Sequence, residues 1–275
     1  MTRKNCSGKR FISAVLVENK RIVMIGAGNM ATSLAMALKK NGSTPVAVWS
    51  RTSASAALLG ERLGCQYTDD LASLPPADVV IISVVDSALC EIAAKVATIY
   101  PAALLLHTAG SIPMTALRDA GAIRYGVFYP MQTMSKSNVV PLDNVTIFIE
   151  GDNEADIAYL HSLASLLSTK VVYATSEQRC FLHVAAVFAC NFPNALYCMV
   201  AELLQSKGLP FESMLPLIDE AAAKVHRMHP LDAQTGPAKR CDVNVMDSHK
   251  SMLNDELAFI YETMSNYIMK RNKKL

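Results

Sequence analysis

Three polar side chains interrupt an apolar stretch in the second half of the chain: His183, Asn191 and Asn194, set among Val184, Ala185, Val187, Phe188, Leu196 and Met199. On an unbroken α-helix Asn191 falls about 80° and Asn194 about 20° from His183, so the three share one flank. Burying such groups without partners would cost roughly 1–3 kcal/mol each, so they meet either internal partners or a cleft. Pro193 deprives the Ala189 carbonyl of its helical donor, which adds an acceptor and an expected bend. A lone histidine on an apolar helix is more often a satisfied core residue. Three clustered polar groups give a substrate-facing wall equal standing. Histidine is also the side chain whose ordinary pKa suits proton transfer near neutrality. His183 and His107 are the two candidate proton donors, His183 preferred, with Asn191 grouped beside them at the catalytic wall. His107 closes the apolar run Ala103–His107, where its alternative role is to orient the loop Thr108–Ser111.

A second constellation lies near the start. The apolar run Ile22–Ile25 leads into Gly26-Ala27-Gly28-Asn29-Met30-Ala31 and then Leu34, Ala35 and Leu38 at helical spacing. Strand, Gly-rich turn and helix together form the context that gives a G-x-G-x-x-G/A match its meaning. Gly26 permits the tight turn, Gly28 lets a pyrophosphate approach the backbone, and Ala31 lets helix pack on strand. The helix N-terminus offers Asn29 and Met30 N–H groups and a partial positive charge to phosphates. An ordinary tight βα turn is the competing reading. About twenty residues on, where an NAD site would place Asp or Glu, the chain has Ser50-Arg51-Thr52. A guanidinium and two hydroxyls suit a ribose 2′-phosphate, so NADP is the expected cofactor; the alternative is a solvated turn with a capping hydroxyl.

These sites must be carried by a sheet. The spacing predicts strands at 45–49, 66–67, 78–85, 103–107, 124–129, 145–149 and 171–173, with helices at 52–63, 87–97 and 154–167. Continuous apolar runs such as Asp78–Val85 are typical of parallel strands covered on both faces. The fold class is therefore α/β, a doubly wound, mostly parallel sheet. Val84, Val85 and Asp86 should lie at its topological switch point beside the Gly-rich turn, with His107 and Thr108 completing the cofactor site. Ser87 is the expected cap of the next helix. Gln132 and Thr133 follow another strand, placing Gln132 with Ser111, Asn194 and Arg240 as substrate-binding candidates. Arg240 would clamp a carboxylate; a surface ion pair with Asp242 competes. From residue 175 the pattern is helical (177–205, 211–225, 242–252, 254–270), with breakers at 208–210 and 230–237. The expected organisation is an extension at 1–19, a nucleotide-binding domain at 20–174 and a helical substrate and dimerisation domain at 175–275.

Composition excludes several classes. A net charge of +2 over 275 residues argues against nucleic acid or anionic membrane as partner. Seven scattered cysteines without a C-x-x-C pair suit a reduced, cytoplasmic chain. His226 and His229 are half a metal site with no carboxylate or cysteine to complete it, so no metal is expected. The apolar stretch Val184–Ala201 is broken by Asn191, Pro193 and Asn194, so a buried helix is preferred over a membrane span.

Five segments together resemble a known group: GAGNMA at 26–31, HTAGS at 107–111, FYPMQTMS at 128–135, CNFPNALY at 190–197 and TGPAKRCD at 235–242. The chain resembles bacterial Rossmann-like NADP oxidoreductases that carry an all-helical C-terminal domain of unknown function. Pyrroline-5-carboxylate reductase and the β-hydroxyacid dehydrogenases are their distant relatives. The resemblance implies a homodimer through the helical domain and a cleft between domains. In β-hydroxyacid dehydrogenases a Lys and an Asn four residues later serve catalysis; here His183 and Val187 stand at that interval, so that machinery does not transfer. The expected function is hydride transfer between NADPH and a small carbonyl or imine substrate. Two alternatives stand beside it: a non-catalytic NADP(H)-binding sensor or scaffold, and a deazaflavin–NADP reductase.

Overall fold

The computed structural model describes residue 17, residues 20–137 and residues 139–272. The expected extension at 1–19 and the last basic residues, Lys273 and Lys274, lie outside the described residues apart from Val17. In chain order the first unit contains β1 (Ile22–Ile25), α1 (Asn29–Lys40), β2 (Ala47–Trp49), α2 (Ser53–Leu63), β3 (Gln66–Thr68), β4 (Val79–Ile82), α3 (Asp86–Ile99), β5 (Leu104–His107), α4 (Thr115–Asp119), β6 (Arg124–Pro130), β7 (Ile147–Gly151), α5 (Glu154–Leu167), β8 (Val171–Tyr173) and α6 (Ser176–Ala186).

The strands form one sheet in the order β3-β2-β1-β4-β5-β6-β7-β8. All pairings are parallel except β6 with β7. β1, β4 and β5 are buried at every position because both faces are covered, which is why they read as unbroken apolar runs. Alternate residues go to opposite faces. Ile22 and Met24 meet Leu34, Leu38, Leu160 and Leu163, whereas Val23 and Ile25 meet Leu89, Val96 and Tyr100. Ile25 pairs with Ile82 and Ile82 with His107, so β1, β4 and β5 end in one row. The chain leaves β1 toward β2 and leaves β4 toward β5, and the crevice between those departures is the switch point where α/β sheets bind ligands.

Boundaries differ in two informative places. α3 starts at Asp86 with Val85 as its N-cap, so Ser87 sits inside the first turn and is not the cap. Asp86 itself supplies the negative charge that the helix N-terminus favours. The predicted helix at 177–205 also has an interior break: α6 is followed by a π-helical turn, Val187–Asn191, and then α7 (Phe192–Gln205). Pro193 lies at the start of α7, where the wide turn accommodates the missing N–H.

The chain divides into two compact units, residues 1–194 and 195–275. The division falls inside the run of α6, π turn and α7 rather than beside β8, because buried polar bonds tie α6 to β7. The remaining helices are α8 (Leu215–Arg227), α9 (Pro230–Ala233), α10 (Pro237–Arg240), α11 (Val243–Lys250) and α12 (Asp255–Asn272). Pro230 and Pro237, expected as breakers, instead open α9 and α10, positions where proline lacks only an N–H that has no helical partner anyway. His229 caps α9 through Nδ1, and Asp242 caps α11 by accepting from Val245 N–H at 3.3 Å. The most apolar window of Ser176–Gln205 has a mean hydropathy of 1.6 and no buried share. Length and composition alone would let this helix cross a membrane, but Asn191, Pro193 and Asn194 would be costly in lipid. The expected buried helix is not buried by this chain alone: Phe181, Phe188 and Phe192 are 71%, 66% and 47% exposed.

Candidate active site

A cleft of about 660 Å³ runs along the carboxyl ends of β1, β2, β4, β5 and β6. At one end, Gly26 holds φ +114°, and a Cβ there would stand 2.1 Å from the Ser83 carbonyl oxygen. The turn therefore closes against β4 only with glycine. Gly28 caps α1 without any side-chain hydrogen bond, and no acid occupies the first turn. The place a Gly28 Cβ would take has nothing within 4 Å. Bare backbone N–H groups at a helix N-terminus, with open space before them, fit a phosphate pair. Asn29 and Met30 line the same wall.

Ser50, Arg51, Thr52 and Ser55 line the cleft beyond β2. Arg51 is exposed, and Thr52 precedes α2 without using its hydroxyl as a cap. Asp86 is the one carboxylate lining the cleft among the described residues. It accepts the hydroxyl of Ser111, so Ser111 is spent on α3 and does not line the cleft. Val84 and Val85 form the intervening wall, and Thr108 donates its hydroxyl to Ser83 at 2.9 Å, tying the ends of β5 and β4 together.

The far end is built from Ala109, Gly110, Tyr129, Gln132, Lys136 and His183. The Tyr129 hydroxyl and His183 Nδ1 lie 3.1 Å apart, their rings edge-on with centroids 6.3 Å apart. A Cβ on Gly110 would come within 2.6 Å of His183 Nδ1 and 3.0 Å of Tyr129 Cζ. Burial pushes the Tyr129 phenol up from its ordinary range, with Arg179 opposing and Asp86 adding to the rise. The phenol is therefore protonated at neutral pH.

His183 is held in place by a buried network one turn earlier on α6. Arg179 is 1% and Glu150 7% exposed. The Glu150 carboxylate accepts from the Arg179 guanidinium, from Ser176 N–H and from the Ser176 hydroxyl, the last two at 2.8 Å. Arg179 also donates to the Ile112 carbonyl, and Ser176 Oγ accepts from Met114 N–H. These bonds fasten α6 to β7 and to the loop leaving β5. Residues i and i+4 share a helix face, so fixing Arg179 aims His183. Thr175 completes the start of α6 with a capping box to Gln178.

His107 occupies a different setting. It is fully buried, does not line the cleft, and its Nδ1 accepts from Ala109 N–H at 3.2 Å. Desolvation, reinforced by Arg179 and opposed weakly by the Pro113 carbonyl, pushes its pKa down to about 3. The ring is neutral, carries its proton on Nε2 and, through Nδ1, ties the Ala109 N–H of the exit loop to the end of β5.

Of the cofactor residues expected from sequence, Gly26, Gly28, Asn29, Met30, Ser50, Arg51, Thr52, Val84, Val85, Asp86 and Thr108 come together in this cleft. His183 and Gln132 join them; His107, Ser111, Asn191 and Asn194 do not line it, and Arg240 belongs to the second unit. Asn191 and Asn194 are exposed on and just after the π turn. That turn, with its i→i+5 bonding, changes the angular step from which their place beside His183 was read. Arg240 is exposed at the end of α10. Sequence reasoning missed Tyr129, Arg179 and Glu150. A carboxylate inside the apolar segment Ile147–Gly151 and a guanidinium two positions before the segment Phe181–Val187 were the available signals.

The chain matches two family models: Domain of unknown function (DUF2520) over residues 145–268 and Shikimate / quinate 5-dehydrogenase over residues 10–100. No curated protein matches. Among solved structures, a Bacteroides fragilis protein assigned as an NADP oxidoreductase is 47% identical, with a TM-score of 0.88 over 92% of this chain and 99% of that one. A reductive aminase from Aspergillus terreus, solved with NADPH and ethyl-5-oxohexanoate, is 18% identical with a TM-score of 0.66 over 92% of this chain and 94% of that one. A pyrroline-5-carboxylate reductase from Coxiella burnetii is 17% identical with a TM-score of 0.57 over 94% and 98%. The last two share the fold. With the Gly-rich turn, the sheet order and the near-complete span of the Bacteroides relative agreeing, this chain belongs to the family of Rossmann-like NADP oxidoreductases that carry the DUF2520 helical domain.

Proposed function

We propose that the chain is an NADP(H)-dependent oxidoreductase moving a hydride between NADPH and a small carbonyl or imine substrate. One observation carries the reading: a single cleft joins the phosphate-binding turn at Gly26–Gly28 to the Tyr129–His183 pair. Bound there, a nicotinamide cofactor supplies the hydride chemistry. Gly28 and the α1 N-terminus hold the diphosphate, and Ser50, Arg51, Thr52 and Ser55 hold the 2′-phosphate. The absence of a carboxylate among the described residues lining that end favours the phosphorylated nucleotide. Thr108 and Asp86 border the nicotinamide region, and Gln132 positions the substrate. The Bacteroides relative and the NADPH-bound Aspergillus enzyme support the same cofactor class.

The working form in this proposal is a homodimer in the reducing cytoplasm. The helical unit carries an apolar groove of about 360 Å³ lined by Leu196, Met199, Leu203, Leu257, Ile260 and Met264. A second copy is the occupant that the exposed apolar helix faces call for. The six described cysteines are all unpaired, which suits a reducing compartment. A monomeric mass in light scattering at micromolar protein contradicts the dimer.

The test of function is NADPH oxidation against 2-oxo acids, aldehydes, and cyclohexanone with and without allylamine. Turnover with a carbonyl or an imine is the expected result. Nucleotide binding with no turnover across the panel selects the non-catalytic sensor, the reading favoured by Val187 standing where hydroxyacid dehydrogenases carry asparagine.

A further inference from the structure

We propose that Tyr129 is the catalytic acid of this reaction and His183 its proton reserve. The inference rests on the oxidoreductase reading above and assigns the proton half of the chemistry to a named pair.

The geometry carries it. The phenol and the imidazole Nδ1 are 3.1 Å apart in the cleft wall, reached from two different elements, β6 and α6. Both rings press on the backbone of the β5 exit loop, where Gly110 alone leaves room for them: a methyl group there would overlap His183 and crowd Tyr129. The loop, the strand and the helix thus converge on one contact. Tyr129 is steadied from behind by Phe148, stacked at a centroid distance of 6.5 Å. His183 is steadied by the Arg179–Glu150 network. The ionisable groups around the phenol are Arg179, Asp86, His183 and Lys136, the last at the same end of the cleft. His107 lies behind the wall and the Thr108 hydroxyl is committed to Ser83, which leaves Lys136 as the other donor at this end of the cleft.

The step balances as follows. Hydride from NADPH, the reductant, adds to the carbon of C=O or C=N, and the π electron pair moves onto the heteroatom. The Tyr129 O–H bond breaks as the heteroatom–H bond forms. The phenolate oxygen takes the Nδ1 proton of the His183 imidazolium, and the imidazole regains a proton from solvent. The proton from the imidazolium neutralises the phenolate and spares the site a lasting buried anion.

The experiment uses the full chain with NADPH and a carbonyl or imine that the wild type reduces, with Tyr129→Phe, His183→Ala and Gly110→Ala. Calorimetry should give unchanged NADPH affinity for Tyr129→Phe, while kcat falls about 10²–10⁴-fold at similar KM. His183→Ala should lose turnover that added imidazole partly restores, which a merely structural histidine would not show. Independent of activity, NMR of protein labelled with ¹⁵N-histidine should show a slowly exchanging proton at His183 Nδ1 that vanishes in Tyr129→Phe and Gly110→Ala. Wild-type turnover in Tyr129→Phe overturns the assignment of the acid. Loss in His183→Ala without imidazole rescue overturns the relay. No wild-type turnover on any substrate of the panel overturns the function itself and takes this inference with it, a result separable from the other two.

Discussion

The two units of this chain are both rich in apolar side chains, yet they use them differently. In the nucleotide-binding unit, β1, β4 and β5 are buried at every residue, and even its charged interior groups, Glu150, Asp156 and Arg179, are partnered. In the helical unit, the residues in the buried class among those described are Ala238, Met246 and Ser265, while Leu203, Met264, Leu217 and Phe259 are 37%, 47%, 67% and 71% exposed. A sheet covered on both faces completes its core with its own crossover helices. A set of helices linked by short turns leaves apolar faces that another surface must cover. The difference teaches where rigidity is made: the candidate site lies on the unit that covers its own apolar faces.

The contrast can be broken in order of effect. Replacing Glu150 by Leu leaves the Arg179 charge buried without its carboxylate, a change that costs about 3–5 kcal/mol. Denaturant unfolding should show this loss with no dependence on protein concentration, and α6 should loosen in hydrogen exchange. A loss below about 1 kcal/mol would mean that solvent reaches the pair. In the helical unit, Leu203→Glu should instead shift the mass toward monomer and make the melting temperature depend on concentration. A concentration-independent change would show that this face is not covered by a second copy.

A smaller effect comes from His107. Its folded pKa of about 3 lies below the ordinary 6.5, so the unfolded chain binds the extra proton. Stability from this group is fully present above about pH 6.5 and is lost progressively as pH falls toward about 3, at up to roughly 1.4 kcal/mol per pH unit. His107→Gln retains an acceptor for Ala109 N–H and should flatten that acid limb in urea midpoints measured at a series of pH values. An unchanged slope would place the acid sensitivity elsewhere.

Much of this was legible in the residues. Continuous apolar runs announced β1, β4 and β5 because covered parallel strands need no polar face, and the Gly26–Ala31 turn announced its phosphate site through backbone demands that only small residues meet. The Tyr129–His183 end of the cleft was harder to read. Asn191 and Asn194 were placed with His183 by assuming one helical period, and the π turn at Val187–Asn191 breaks that period without leaving a distinctive residue pattern. Tyr129 meets His183 across 54 positions of sequence, a juxtaposition that depends on how β6 and α6 are fastened. That fastening is the Arg179–Glu150 pair, which local propensity does not reveal. Arg51 was legible as a residue of the cleft because its place follows from distance along the chain from the Gly-rich turn.

The central claim is that this cleft holds a phosphorylated dinucleotide. Calorimetric titration of the wild type with NADPH and NADH, repeated on Arg51→Ala, tests it most directly. The account predicts tight NADPH binding, weaker NADH binding, and a loss in Arg51→Ala of about 1.5–3 kcal/mol, roughly 10–150-fold, confined to NADPH. Wild-type protein that gives no heat with either nucleotide would contradict it.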